Sequence, residues 1–203
     1  LIIICVTFGI SLCGNFEIGS VHSVSGDVTL FSKSKAAPLR KALPGRLIHE
    51  GDRIDTGKNG ICQVIYSDGN SFIRVEENSQ VEFSSAGLSD IIDLNFGSLY
   101  CQIGGTGENS FKIYSSIGHY LTSNSRFWLE SHHNQSDEII VQSGVVLANN
   151  QFSMKNAELD QGDAALLYAT GILNADKYDE IKFQYLQKES REFANSMSPF
   201  IKK

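Results

Sequence analysis

The stretch from Leu47 to Phe83 constrains this chain more than any other. It runs Leu47-Ile-His-Glu-Gly51-Asp52-Arg-Ile-Asp-Thr56-Gly57, then Ile61 to Tyr66, then Ser67-Asp68-Gly69-Asn70-Ser71, then Phe72 to Val75, and then Asn78-Ser79-Gln80-Val81-Glu82-Phe83. Three short β-prone runs are joined by Gly-bearing turns. Asp-Gly between alternating apolar runs is a strong hairpin signal, because the turn needs positive φ and glycine supplies it without steric cost. In the middle run Cys62, Val64 and Tyr66 share one face, while Ile61, Gln63 and Ile65 share the other. Ile73 and Val75 alternate with Arg74, and Val81 and Phe83 with Gln80 and Glu82. That pattern predicts strands covered by a core on one side.

Similar runs fill the chain on both sides. Ile18 to Val24 and Asp27 to Phe31 read as a first hairpin through Ser25-Gly26. After Phe83 come Ile91–Leu94, Ser98–Ile103, Ser110–Tyr114, His119–Ser123, Arg126–Ser131, Glu138–Gln142, Val145–Ala148 and Ala164–Tyr168, with glycine at many junctions. Many short strands with turn signals between them predict an all-β sandwich, barrel or roll. A loose echo places glycine shortly after an apolar residue at Leu47–Gly51, Leu94–Gly97, Val141–Gly144 and Leu159–Gly162. A β-solenoid produces such an echo, and so does any protein with many similar hairpins. After Gly171 the period changes. Tyr178, Ile181, Tyr185, Leu186, Phe193 and Met197 recur at intervals near three, four and seven, Asp176 can cap, and Pro199 follows. The expected organisation is residues 1–13 as a leader or anchor, a β-domain over 18–172, and an amphipathic helix with a tail over 173–203. Packing against its own β-domain is the plainer expectation for that helix, and docking of a partner is the sharper one.

Composition narrows the compartment and the partner class. Of 203 residues 41% are hydrophobic and 20% charged, so the chain can bury a core. A net charge of −6 argues against nucleic-acid binding, which needs clustered Lys and Arg. The uncharged run Leu1 to Cys13 matches the apolar core of a secretory signal and is too short to span a bilayer unaided. It reads as a cleaved signal peptide, as the end of a longer membrane anchor, or as a lipoprotein anchor on Cys13, although Leu12 sits where that last motif wants a small residue. Export is expected either way, with membrane contact only through this segment. Cys62 and Cys101 remain for the domain. Each suits a buried strand position, and an oxidising compartment would allow a bridge between them.

Few residues suggest chemistry. Gly104-Gly105-Thr106-Gly107 lacks the Lys-Ser/Thr of a phosphate loop and reads as a hairpin loop. His132 and His133 with Glu130 and Asp137 have little metal-ligand spacing, and a solvated loop is the plainer reading. Asp52 and Asp55 beside Glu50 lack the dense oxygen ligands of a calcium site, so Asp52 is expected to brace its own turn. No Gly-x-Ser-x-Gly elbow is present. Of adjacent Phe127 and Trp128, one is expected to face the core and the other the outside. No cofactor is expected. Lys33, Lys35, Arg40, Lys41 and Arg46 form a basic stretch without acids, interrupted by Pro38 and Pro44-Gly45. It is either a loop or an edge strand, and it is the candidate partner-binding set, with a solvated loop as the plainer alternative.

The order Leu-x-x-Gly51-Asp52-x-Ile-x-Thr56-Gly57, strand, Asp68-Gly69-x-Ser, strand, Asn-Ser79-x-Val-x-Phe resembles the FecR-like domain of bacterial envelope proteins. Leu94-Asn-Phe-Gly97-Ser-Leu99, Phe111-Lys-Ile113 and Val141-Gln-Ser-Gly144 continue the resemblance, and Phe127 stands where that domain has a Gly-Thr-x-Phe segment. The chain keeps the Phe and not the Gly-Thr pair. The resemblance implies a two-sheet β-roll or sandwich and a periplasmic or cell-envelope location. It also implies a non-enzymatic module that binds or scaffolds another envelope protein or an envelope glycan. Members of the family relay an envelope signal to a sigma factor through a cytoplasmic segment preceding a membrane helix. The relay is therefore the alternative reading, with that segment upstream of Leu1. A glycan hydrolase is a weaker third.

Overall fold

The computed structural model describes residues 16–33, 40–105 and 110–175. The expectations for residues 1–13, Lys35, the Thr106-Gly107 end of the glycine run and the helix after Ala175 lie outside the described residues.

Every described element is a strand. In chain order they are β1 (Glu17–Ser25), β2 (Val28–Phe31), β3 (Arg40–Lys41), β4 (Leu47–His49), β5 (Asp52–Thr56) and β6 (Ile61–Tyr66). Then come β7 (Phe72–Val75), β8 (Gln80–Ala86), β9 (Ser89–Gly104), β10 (Ser110–Tyr114), β11 (Gly118–Thr122) and β12 (Asn124–His132). The last are β13 (Ser136–Gly144), β14 (Val146–Asn150), β15 (Asn156–Leu159), β16 (Ala164–Tyr168) and β17 (Gly171–Ala175).

They form two sheets. Sheet A runs β4-β1-β6-β7-β9-β12-β13-β16-β17, antiparallel throughout. Sheet B runs β3-β2-β5-β8-β9-β10-β11-β14-β15, with β9 and β10 parallel. Strand β9 belongs to both: its first half pairs with β8 and β10, its second with β7 and β12. The expected separate strands Ile91–Leu94 and Ser98–Ile103 are thus one strand that bends at Gly97, where φ is +96°.

The inner faces of the sheets meet in one apolar core. Cys62, Val64, Ile73, Leu99, Phe127, Leu129, Ile139 and Val141 from sheet A face Ile54, Val81, Phe83, Ile92, Phe111 and Ile113 from sheet B. Tyr66 of sheet A closes the contact, its ring 4.8 Å from Phe111 and 6.4 Å from Phe83. The period-two alternation of β6 and β8 puts Cys62, Val64, Tyr66, Val81 and Phe83 in this core, as their spacing predicts.

Two expectations change. The first hairpin is not one: β1 pairs with β4 and β6 in sheet A, and β2 with β3 and β5 in sheet B. The chain crosses between sheets at Gly26 instead of folding back. The central strands of sheet A are also covered on both faces, not one. β7 is buried at all four positions, and Phe127-Trp128-Leu129 and Ile139-Ile140-Val141 are buried without a break.

The glycine echo has a structural cause in these crossings. Gly51 lies between β4 and β5, Gly97 within β9, Gly144 at the end of β13, and Gly162 between β15 and β16. Each has positive φ and each marks a passage from one sheet to the other. Asn59 and Asn78, also with positive φ, serve the passages from β5 to β6 and from β7 to β8. Asparagine is among the few residues besides glycine that tolerate this region. After β9 whole hairpins alternate: β10–β11 in sheet B, β12–β13 in sheet A, β14–β15 in sheet B, β16–β17 in sheet A.

Candidate functional site

The residues singled out by motif fall into separate braces, not one pocket. The first brace sits where the chain enters β5. Asp52, only 2% exposed, accepts hydrogen bonds from the backbone N–H of His49 at 3.0 Å and of Lys33 at 3.2 Å. Its carboxylate therefore ties the β4–β5 turn to the end of β2. At Gly51 a Cβ would run into the Lys33 side chain. Glu50 and Asp55 do not converge with Asp52, because Asp55 pairs with Arg53 at 2.9 Å. Arg53 also stacks over Phe31 at 4.1 Å.

The second brace unites three motif residues. The Thr56 hydroxyl donates to the carbonyl of Glu76 at 2.5 Å and accepts from the Ser79 N–H at 2.9 Å. The Ser79 Oγ accepts from the Ser98 N–H at 2.9 Å. A Cβ at Gly97 would collide with Ser79. Two hydroxyls thus replace ladder bonds at the corner where the end of β5 and the start of β8 meet the bend of β9, so the buried backbone groups there stay satisfied. Gly57 packs beside Asp27, whose carbonyl accepts the Gly57 N–H at 2.8 Å.

The third brace is the β6–β7 turn. Asp68 Oδ1 accepts from the N–H groups of Asn70 at 2.9 Å and Ser71 at 2.8 Å, and Oδ2 accepts the Ser71 hydroxyl at 2.6 Å. Gly69 has φ of +68° with open space around it. Phe127 is fully buried in the core, and Gly144 abuts the backbone of Asn124.

The basic set is divided. Arg40 and Lys41 form β3, the edge strand of sheet B, and Lys41 is exposed. Arg46 directly precedes β4, the edge strand of sheet A, and its carbonyl accepts the Val21 N–H at 2.8 Å. Lys33 lies over Gly51. These residues line one open side of the two sheets and do not make a pocket.

The metal reading of Glu130, His132, His133 and Asp137 is separated by strand alternation. Asp137 points into the core, fully buried, where Oδ2 accepts the Tyr120 hydroxyl at 2.7 Å and the Ser115 hydroxyl. Glu130 and His132 stand on the outer side, 3.7 Å apart. Among the described residues no three His, Cys, Asp or Glu side chains gather to hold a metal. The Ser115–Asp137–Tyr120 cluster has no sequence signature, because its members come from the β10–β11 turn, β11 and β13. It ties the β10–β11 turn to sheet A. Burial and the Asp137 charge push the Tyr120 hydroxyl well above the ordinary phenol range.

Cys62 and Cys101 are free and buried. Strand β7 lies between their strands, and they stand opposite Val75 and Ile73 of it, two residues apart, so about 9.5 Å of strand spacing plus that offset puts them beyond the reach of a disulfide. Burial pushes the Cys62 thiol up to about 12.

Two open clefts lie on the outer side of sheet A. One, of about 470 Å³, is lined by Asn70, Phe72, Gln102, Asn124, Arg126 and Ser143. The other, of about 440 Å³, is lined by Glu76, Asn78, Phe96, Ser98, Glu130 and His132. Both are polar and shallow, of a kind suited to surface contact and unlike the enclosed apolar pockets of small-molecule sites.

The sequence matches the family model described as FecR protein over residues 52–165. Two crystal structures of a candidate anti-sigma factor from Parabacteroides distasonis ATCC 8503, at 1.65 and 2.50 Å, share the fold with a TM-score of 0.58. They are 13% identical to this chain, and the match covers 66% of this chain and 64% of theirs. A comparison with curated proteins finds no match.

Proposed function

We propose, of a chain that belongs to the FecR protein family, that it is the β-domain of an envelope signalling regulator. It works by contact with a protein partner and without chemistry of its own. The observation that supports this best is the family match over residues 52–165, which begins at Asp52 of the first brace and takes in Thr56, Ser79, Gly97 and the Asp68 turn, together with the fold shared with a candidate anti-sigma factor. The motif residues are occupied in holding corners and turns, so in this chain they build a platform and leave its surfaces for contact. Partner contact then falls to the surfaces between the braces: the open side carrying Arg40, Lys41 and Arg46, and the outer side of sheet A. We place the domain outside the cytoplasm, following the apolar run Leu1 to Cys13.

The test is made in the bacterium that encodes the chain. Deleting the gene, and separately supplying the exported β-domain in excess, should each change the transcription of a gene set read by one alternative sigma factor. An unchanged transcript profile in both strains would overturn the regulator and leave an exported scaffold as the reading.

A further inference from the structure

A second, smaller apolar cluster lies on the outer face of sheet A. Arg74, Tyr100, Trp128, Ile140 and Ala164 stand in register across β7, β9, β12, β13 and β16. Phe72 lies beside them. Their strand neighbours Ile73, Leu99, Phe127, Leu129, Ile139 and Ala165 point the other way, into the core. An aromatic row on an open sheet face would stand in water. Yet Trp128 is 7% exposed, Tyr100 4%, Phe72 2% and Ile140 2%. Every described strand already belongs to one of the two sheets, whose facing sides make the core. None of them is left to lie over this row.

We propose that this outer face is the seat of the chain's own C-terminal segment, residues 176–203. Three observations support that occupant. Continuity is the first: β17 is the last strand of sheet A, and Ala175 pairs with Ala164, the end of the buried row. The segment therefore begins where the row ends. Reach is the second. The row crosses five strands, about 20–25 Å at ordinary strand spacing, and a helix of that length needs only about 16 residues. The stripe Tyr178, Ile181, Tyr185, Leu186 falls within such a span. Shape is the third. The two clefts flank the row, one at Phe72, Gln102 and Arg126 and the other at Ser98, Glu130 and His132. A cover one helix wide, about 10 Å, buries the row and leaves a cleft along either side.

Trp128 is the sole tryptophan, so its fluorescence reads the cover directly. In the full chain, Ile181→Asp with Leu186→Asp should shift the emission to the red and raise acrylamide quenching severalfold, while the far-ultraviolet β signature stays. Emission and quenching unchanged in the folded variant would overturn the proposal. Three other results would also do so. Shielding that falls on dilution of the unaltered protein would make a second copy the cover. Shielding lost on removing residues 1–15 would make that segment the cover. Zero-length carbodiimide coupling of the unaltered protein needs no variant to fold: it should join Lys182 or Lys188 to Glu130 or Glu138 of the same chain, and joins made only elsewhere would overturn the assignment.

Discussion

Gly69 and Gly97 have the same backbone sign and different reasons for being glycine. Gly69 stands in open space at a turn tip, so only backbone strain opposes a side chain. Gly69→Val should cost about 1–3 kcal/mol, and Gly69→Asn much less, because asparagine tolerates positive φ. Gly97 meets Ser79 as well, so Gly97→Ala combines strain with a clash and should cost about 2–5 kcal/mol. Urea midpoints should fall least for Gly69→Asn, more for Gly69→Val and most for Gly97→Ala; equal losses for Gly69→Val and Gly97→Ala would refute the contact with Ser79. Asp90 offers a change of the opposite sign. It lies on the inner face beside Tyr66, where burial, and after it the charge of Asp68, holds its carboxyl up at about 6. The folded state keeps this proton longer than the unfolded chain does, so folding is favoured while Asp90 is protonated and loses stability as pH rises from about 4 through 6. The side chain is half-buried, and solvent screening limits the loss to about 1 kcal/mol. Asp90→Asn should raise the midpoint near pH 7 and leave it unchanged near pH 4.

Strand β9 and the β10–β11 hairpin show how elements are locked together. β9 carries both sheets, so it cannot leave one without opening the other. The hairpin is held to sheet A from inside through Asp137. Tyr120→Phe removes one of the hydroxyls that Asp137 Oδ2 accepts, while Oδ1 already lacks a hydrogen-bond partner among the described residues. The loss should be about 1–3 kcal/mol. Hydrogen exchange should report it first in β10 and β11, and a loss spread evenly over both sheets would contradict the local role of the brace.

Taken together, the two sheets need no covalent staple. Peptide mapping of the oxidised protein should find no bridge between Cys62 and Cys101, since a strand separates them; finding that bridge would mean a different register in sheet A. Export is the prediction that concerns the chain in its cell. An alkaline phosphatase reporter fused after Lys203 should be active, and an inactive but stable fusion would place the domain in the cytoplasm.

Most of the strands, the Asp68-Gly69 turn, the bracing role of Asp52 and the inward set Cys62, Val64, Tyr66, Val81 and Phe83 were legible from local pattern; β15 was not, and β17 carries the β-domain through Ala175, past its expected end at 172. Alternation with period two reports which side chains share a face, and short-range turn chemistry reports where the chain reverses. Neither reports which sheet a strand joins, because pairing is made by backbone groups that every residue carries. Gly26 and Gly69 look alike in sequence, yet one crosses between sheets and the other closes a hairpin. The unbroken runs Phe127-Trp128-Leu129 and Ile139-Ile140-Val141 were the available sign of strands buried on both faces. What covers the outer one could not be read from them, since burial of Trp128 depends on a surface assembled from strands far apart in the chain. The Thr56–Ser79–Gly97 corner and the Asp137 cluster exist for the same reason: tertiary packing brought together polar groups that no spacing rule connects.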